Sequence, residues 1–270
     1  MAGIAAYGVH LPRHRMPLGL LRGGKAGDAE RTVAWSDEDS VSMGVAAARA
    51  CLSGRERDRI DLVLFATTSH AYAEKQGAAL IARVLDLPAD VRTADMAHSG
   101  RSGVQALALA CDAVRAGDVR EALVIVSDQH GGAPGSEFEA NGGDGAAAFL
   151  ISVDAPLAQF AGAASQSEEI ADVWRRAGDR FTHGWEDRFV TDHGYLAPAL
   201  AAAEKLSARY GGPDGTADWH WALSAPNARA HGALAGRLKI DRQMLHRPLF
   251  GQVGYCGCAH ALVQLAGLLD

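Results

Sequence analysis

Hydrophobic and polar positions alternate between two rhythms along the first half of the chain. Residues 1–9 read as a first strand. Residues 39–52 have helical spacing after the cap-like run Ser36-Asp37-Glu38. A nearly continuous apolar run over 60–66 is the pattern of a strand covered on both faces. A second helix is predicted over 75–85, closed by Pro88, and a strand over 91–95. A helix rich in Ala and Leu follows over 103–115 and ends at Gly117-Asp118. Buried strands are predicted over 121–127 and, after Gly142-Gly143-Asp144-Gly145, over 146–153. Strand–helix alternation of this kind predicts a layered α/β fold.

From Ala155 the pattern restarts, which divides the chain into halves at 1–154 and 155–270. A strand is predicted over 156–161, and a polar loop with a short helix over 170–193. A long helix follows over 195–210, a strand over 219–223, and helices over 228–238 and 257–269. A second half that closes on a helix predicts an unfinished sheet edge. A partner, or the 170–193 loop with Trp174 and Trp185, is expected to cover it.

Composition narrows the function classes. The 270 residues are 48% hydrophobic and 21% charged, with 31 glycines, which suits closely packed helices and sheets. A net charge of -6 gives no basic footprint for nucleic acid. No apolar run is long enough to span a bilayer, and the first residues lack the pattern of a secretion signal. Cys51, Cys111, Cys256 and Cys258 make no disulfide framework for this length, so a reducing cytoplasmic setting is expected. On a strand, Cys256 and Cys258 would point to opposite sides, and without a second cysteine pair they make a poor zinc site; no metal is expected.

The stretch Thr93-Ala94-Asp95-Met96-Ala97-His98-Ser99-Gly100-Arg101-Ser102-Gly103 has the surroundings of an acyl-transfer nucleophile. A strand leads into a small-residue turn and then into the first turn of a buried helix, whose free N–H groups favour an anionic nucleophile. Yet the turn holds no cysteine. Ser99 and Ser102 are the nearest hydroxyls, and a serine nucleophile needs a base, for which His98, His70, His130 and His260 are candidates. Both serines equally suit packing or capping at a helix start. Asp128-Gln129-His130 follows a buried strand and suits a pocket or an interface. The glycine-rich run 141–145 lacks a phosphate-loop lysine.

Several segments together resemble the prokaryotic hydroxymethylglutaryl-CoA synthases and the related ketoacyl synthase III enzymes. They are Gly3-Ile4-Ala5-Ala6-Tyr7-Gly8-Val9-His10-Leu11-Pro12-Arg13 and Ser36-Asp37-Glu38-Asp39. Further matches are Thr67-Thr68-Ser69-His70-Ala71-Tyr72-Ala73, Gly132-Ala133-Pro134-Gly135 and the run from Asp172 to Arg180. The resemblance covers nearly the whole chain in order. It implies the thiolase-like fold: five αβαβα layers, two similar halves with mixed sheets, the second half shortened here. It implies a dimer built through the strand and helix beside the nucleophile, expected over 121–127 and 103–115. It also implies a cysteine, a histidine and an asparagine, which fall on Gly100, Ser224 and the turn at Gln252. With those reagents absent, ordinary thioester transfer is closed to this chain alone.

The resemblance therefore implies an atypical ketoacyl synthase III-like subunit of acyl condensation in polyketide or fatty-acyl-derived biosynthesis. It would be the noncatalytic partner of a cysteine-containing homologue, in a homo- or heterodimer. A cysteine-independent acyltransferase or thioesterase is the alternative. No tightly bound cofactor is expected; coenzyme A or a phosphopantetheine thioester is the expected substrate, with an acyl carrier protein as a further partner. Arg175, Arg176 and Arg180 are the candidate phosphate contacts, although acids in the same segment also offer them local ion pairs.

Overall fold

The computed structural model describes residues 1–22, 27–211 and 219–270. In chain order the elements begin with β1 (Gly3–His10), β2 (His14–Pro17), α1 (Gly19–Arg22) and β3 (Glu30–Val33). Next come α2 (Ser40–Cys51), β4 (Ile60–Thr67), α3 (Gly77–Val84), β5 (Arg92–Ala97) and α4 (Ser102–Ala116). The middle of the chain supplies β6 (Glu121–Asp128), α5 (Glu137–Asn141), β7 (Gly145–Ser152), β8 (Ala158–Gln159), β9 (Val173–Trp174) and β10 (His183–Gly184). A short α6 (Asp187–Phe189), a π-helical stretch Val190–Leu196, α7 (Ala197–Tyr210), α8 (Ala228–Arg237), a 3-10 turn Gly257–Ala259 and α9 (His260–Leu269) complete it.

The central sheet runs β5-β4-β6-β7-β1-β8. β4 is parallel to both β5 and β6, whereas β7 is antiparallel to β6 and to β1. Every residue of β6 and β7 is buried, which explains the apolar runs 122–126 and 146–151 within them. Alternate side chains feed two cores. One face packs Leu123, Ile125, Phe65, Ala148 and Leu150 against α2 and α3. The other packs Val124, Val126, Ala66, Phe149 and Ile151 against α4 and α9. The result is a helix–sheet–helix sandwich in which α4 and the turn before α9 approach each other at the carboxyl ends of β4 and β6.

Three expectations change here. β6 lies between β4 and β7 and has no free edge, so a strand-paired dimer cannot be built on 121–127; β5 is the long edge strand on that side. The segment 170–193 contains a two-residue hairpin, β9 with β10, in which Trp174 stacks on His183. Trp174 and Trp185 are 38% and 60% exposed, so neither is buried as a cover for the sheet. Finally, 219–223 forms a single bridge, Trp221 to Leu245, rather than a strand; a small third core of Leu196, Leu223, Leu234 and Ala235 gathers there.

Candidate active site

β5 delivers the chain to a tight turn at 98–101 and α4 carries it away. His98 sits there at φ +67°, a left-handed conformation that a side chain rarely adopts and that the turn must hold in place. Ser102 is buried, and its hydroxyl donates to the Ala97 carbonyl at 3.1 Å. The Ser99 hydroxyl accepts from the Arg101 N–H at 3.3 Å. Among the described residues neither hydroxyl has a histidine partner. The two serines thus stitch the turn to the helix, and the Ser–His pairing weighed from the sequence is not formed.

Gly100 is exposed, and what faces it is specific. A Cβ added at Gly100 would lie 2.9 Å from the Tyr255 hydroxyl oxygen, with no other contact within 4 Å beyond its chain neighbours. The Tyr255 backbone is clamped: its N–H donates to Asn141 O at 2.7 Å and its carbonyl accepts from Gly143 N at 3.0 Å. Its ring is near both His130 and His260, with centroids 5.5 and 5.3 Å away. Burial first, and then the nearby Asp128, push the phenol above its ordinary value, so it stays a protonated donor. Gln252, in the same turn, is exposed. Tyr255 is the residue of this turn that reaches Gly100. Sequence reasoning missed it because a tyrosine three positions on carries no motif.

Below Tyr255 the carboxylate of Asp128 is fully buried and accepts five hydrogen bonds. Thr67 Oγ1, Thr68 N and Ser69 Oγ reach Oδ1 at 3.0, 2.7 and 2.9 Å; Thr68 Oγ1 and Cys258 N reach Oδ2 at 3.0 and 2.8 Å. This carboxylate ties the end of β6 to the loop after β4 and to the turn before α9. Gly257 lies against it at φ +52°, and a Cβ there would stand 2.1 Å from Asp128 Oδ2 and 2.3 Å from His130 Nε2. His130 Nε2 is buried without a hydrogen-bond partner among the described residues, 3.9 Å from Asp128 Oδ2. Its backbone N–H donates to Asp144 Oδ1 at 2.7 Å. Asp144 also accepts from Ala34 N, and burial pushes its carboxyl above the usual range.

Beside this lies a cavity of about 430 Å³ that brings together His70, His130, Arg175 and Arg180 of the residues picked from sequence, and adds Arg31 and Asp144. Arg31 is only 8% exposed and its Nε has no partner among the described residues. Desolvation lowers its pKa against the pull of Asp144. Glu139 adds to that pull. Nothing in the short strand 30–33 marks Arg31 from sequence. Among the described residues Arg175 reaches only the Thr68 carbonyl, at 3.4 Å. Arg176 does not line the cavity; its N–H donates to Asp179 instead. Ser224 is likewise outside it, its carbonyl held by the Tyr195 hydroxyl at 2.7 Å.

The four cysteines are all buried free thiols. Burial pushes Cys51 up to about 12 and Cys111 to about 11, and also raises Cys256 and Cys258, so none is poised as a thiolate. Cys256 and Cys258 both enter the same core rather than opposite sides, because the chain turns there as a 3-10 helix. Among the described residues no group of three His, Cys, Asp or Glu side chains could hold a metal, and no helix is long and apolar enough to cross a membrane.

No family model matches the chain. Curated relatives do. A hydroxymethylglutaryl-CoA synthase of Thermococcus onnurineus is 30% identical over 281 residues, covering 99% of this chain and 79% of that protein. The chain belongs to the hydroxymethylglutaryl-CoA synthase family. The family's Methanocaldococcus jannaschii member is also 30% identical, over 226 residues, and the match spans 64% of its length. Among solved structures, a hydroxymethylglutaryl-CoA synthase complexed with CoA superposes with a TM-score of 0.88 at 19% identity, covering 100% of this chain and 74% of that one. The priming β-ketosynthase of the R1128 polyketide pathway gives 0.86 at 20%, covering 99% and 87%. The thiolase-like fold implied by the sequence is therefore the fold of this protein, although among the described residues 155–270 supply only β8 and the hairpin β9–β10 rather than a second mixed sheet.

Proposed function

We propose that this chain is an atypical ketoacyl synthase III-like subunit of acyl condensation that binds an acyl thioester but forms no acyl-enzyme. In this reading it is the noncatalytic partner of a cysteine-containing homologue in specialised acyl biosynthesis, with 1–154 and 155–270 as its two halves. The observation that carries the reading is the 2.9 Å approach of the Tyr255 hydroxyl to the point where a side chain of residue 100 would begin. Residue 100 thus offers no nucleophile, and the Tyr255 hydroxyl stands in front of it instead. The substrate is a coenzyme A or phosphopantetheine thioester, whose phosphates are met by Arg175 and Arg180 at the rim of the cavity; Arg31 and His130 supply further donors inside. Structures of relatives with CoA and with 3-hydroxy-3-methylglutaryl coenzyme A support that class of ligand. A carrier protein presenting the same arm is a further partner.

Co-expression with a tagged, cysteine-containing ketoacyl synthase III-like protein tests the partner role. The expected result is a stable pair whose condensation rate depends on this chain. Separate elution, with turnover unaffected by its omission, would overturn it. A second reading, a cysteine-independent thioesterase or acyltransferase, is favoured by His130, whose ring lines the cavity while its Nε2 faces Asp128. It predicts free thiol release from acyl-CoA by the isolated chain, lost in His130→Ala.

A further inference from the structure

The Tyr255 hydroxyl is not only an obstacle at Gly100. Among the described residues it makes no hydrogen bond, although its backbone is fixed on both sides and its ring packs near two histidines. Gly254 before it takes φ +93°, and a Cβ there would stand 2.5 Å from Gly142 O, so the turn that aims the ring admits only glycine. His260 is fully buried and held by Cys256 N at 3.4 Å and by Gln264 Nε2 at 2.9 Å, which leaves it no hydrogen bond to share with the phenol. His130 aims its Nε2 at Asp128 rather than at the hydroxyl. Held this way beside the exposed Gly100, the half-buried phenol presents an unused proton to an acceptor that enters there.

We infer that Tyr255 is the donor that receives the thioester carbonyl of the bound acyl group, its hydroxyl standing where the sulfur of a nucleophile at residue 100 would otherwise meet that carbonyl. The inference rests on the thioester-binding reading above and adds the contact that selects acylated over free carrier. Because no bond is made or broken, the consequence is recognition: the subunit senses whether the arm is loaded.

The test uses the full chain with coenzyme A and with acetyl-CoA. One hydrogen bond to a neutral carbonyl corresponds to roughly a 2- to 10-fold preference for the acylated form. Tyr255→Phe keeps the ring and its packing, and should abolish that preference while leaving affinity for coenzyme A unchanged. Gly100→Ala should do the same by displacing the hydroxyl. Carbon NMR of acetyl-CoA labelled at its carbonyl should show a downfield shift on binding the wild type, reduced in both variants. Equal preference and an equal carbonyl shift in wild type and Tyr255→Phe would overturn the inference while leaving the thioester site standing. Failure of the wild type to bind coenzyme A at all would remove the thioester site, and the inference with it.

Discussion

Asp128 and His260 are buried polar groups whose surroundings set opposite expectations. Five donors converge on Asp128, so Asp128→Asn would turn an NH2 group toward donors that need an acceptor. A loss of about 3 kcal/mol is expected, read as a lower urea midpoint at unchanged slope. His260 is held neutral: burial, and then the nearby His231, lower its pKa from 6.5 to about 3. A base whose folded pKa is depressed resists protonation only in the fold. Its stability is complete above pH 6.5, falls as the pH drops through that value, and stops falling near pH 3. The fall is on the order of 5 kcal/mol, and His260→Gln should flatten it in melts taken across that range. The sequence offered His260 as a candidate base for a serine and Asp128 as part of a pocket or an interface. Asp128 was legible as the polar end of a buried strand, but what it accepts depends on loops 60 and 130 residues away in the chain.

At the scale of elements, the rhythm of the sequence located helices and strands well wherever one face packs on the sheet. The helix expected over 39–52 is α2, Ser40–Cys51, capped by Asp39, whose carboxylate accepts from Ser42 N while the Asp39 N–H donates to Ser42 Oγ. Asp39→Ala should cost about 1 kcal/mol, seen as a lowered melting temperature. The hairpin β9–β10 was missed because two-residue strands carry no period, and the strand expected at 219–223 was drawn from apolar residues that pack on α7 and α8 instead. α4 was legible, but not why its second residue is glycine. A Cβ on Gly103 would stand 2.4 Å from the Cys258 carbonyl and 3.0 Å from Val126 Cγ1. This close approach brings the turn before α9, and with it Tyr255, up to Gly100. Gly103→Ala is therefore expected to cost about 2 kcal/mol and also to weaken acetyl-CoA binding, because backbone rather than a flexible side chain must move. Retained stability and binding in that variant would show that the two helices are less tightly coupled than their contact implies.

The whole molecule leaves one long strand edge without a neighbour among its described residues. β5 pairs with β4 alone, and its six residues are only partly buried or exposed, whereas the opposite edge is the two-residue β8. An edge of that length offers a row of backbone donors and acceptors to another chain. Next to it α4 exposes Val104 at 47% and Leu109 at 52%, apolar surface that gains most from being covered. The partner-subunit reading thus places its interface on β5 and the outer side of α4. This keeps the helix foreseen from the sequence and replaces the strand, since burial of all eight β6 residues says nothing from sequence about which strand lies outermost. An interface there would also set the partner beside the Gly100 turn, at the end of β5, where a loaded arm read by Tyr255 can influence it. Sedimentation should show the wild type paired, with itself or with the cysteine-containing homologue. Val104→Glu combined with Leu109→Glu should shift it to monomer, with an unchanged far-ultraviolet spectrum and retained coenzyme A binding. Persistence of the pair in the double variant would move the interface elsewhere on the surface, and loss of coenzyme A binding along with pairing would mean that the partner completes the thioester site.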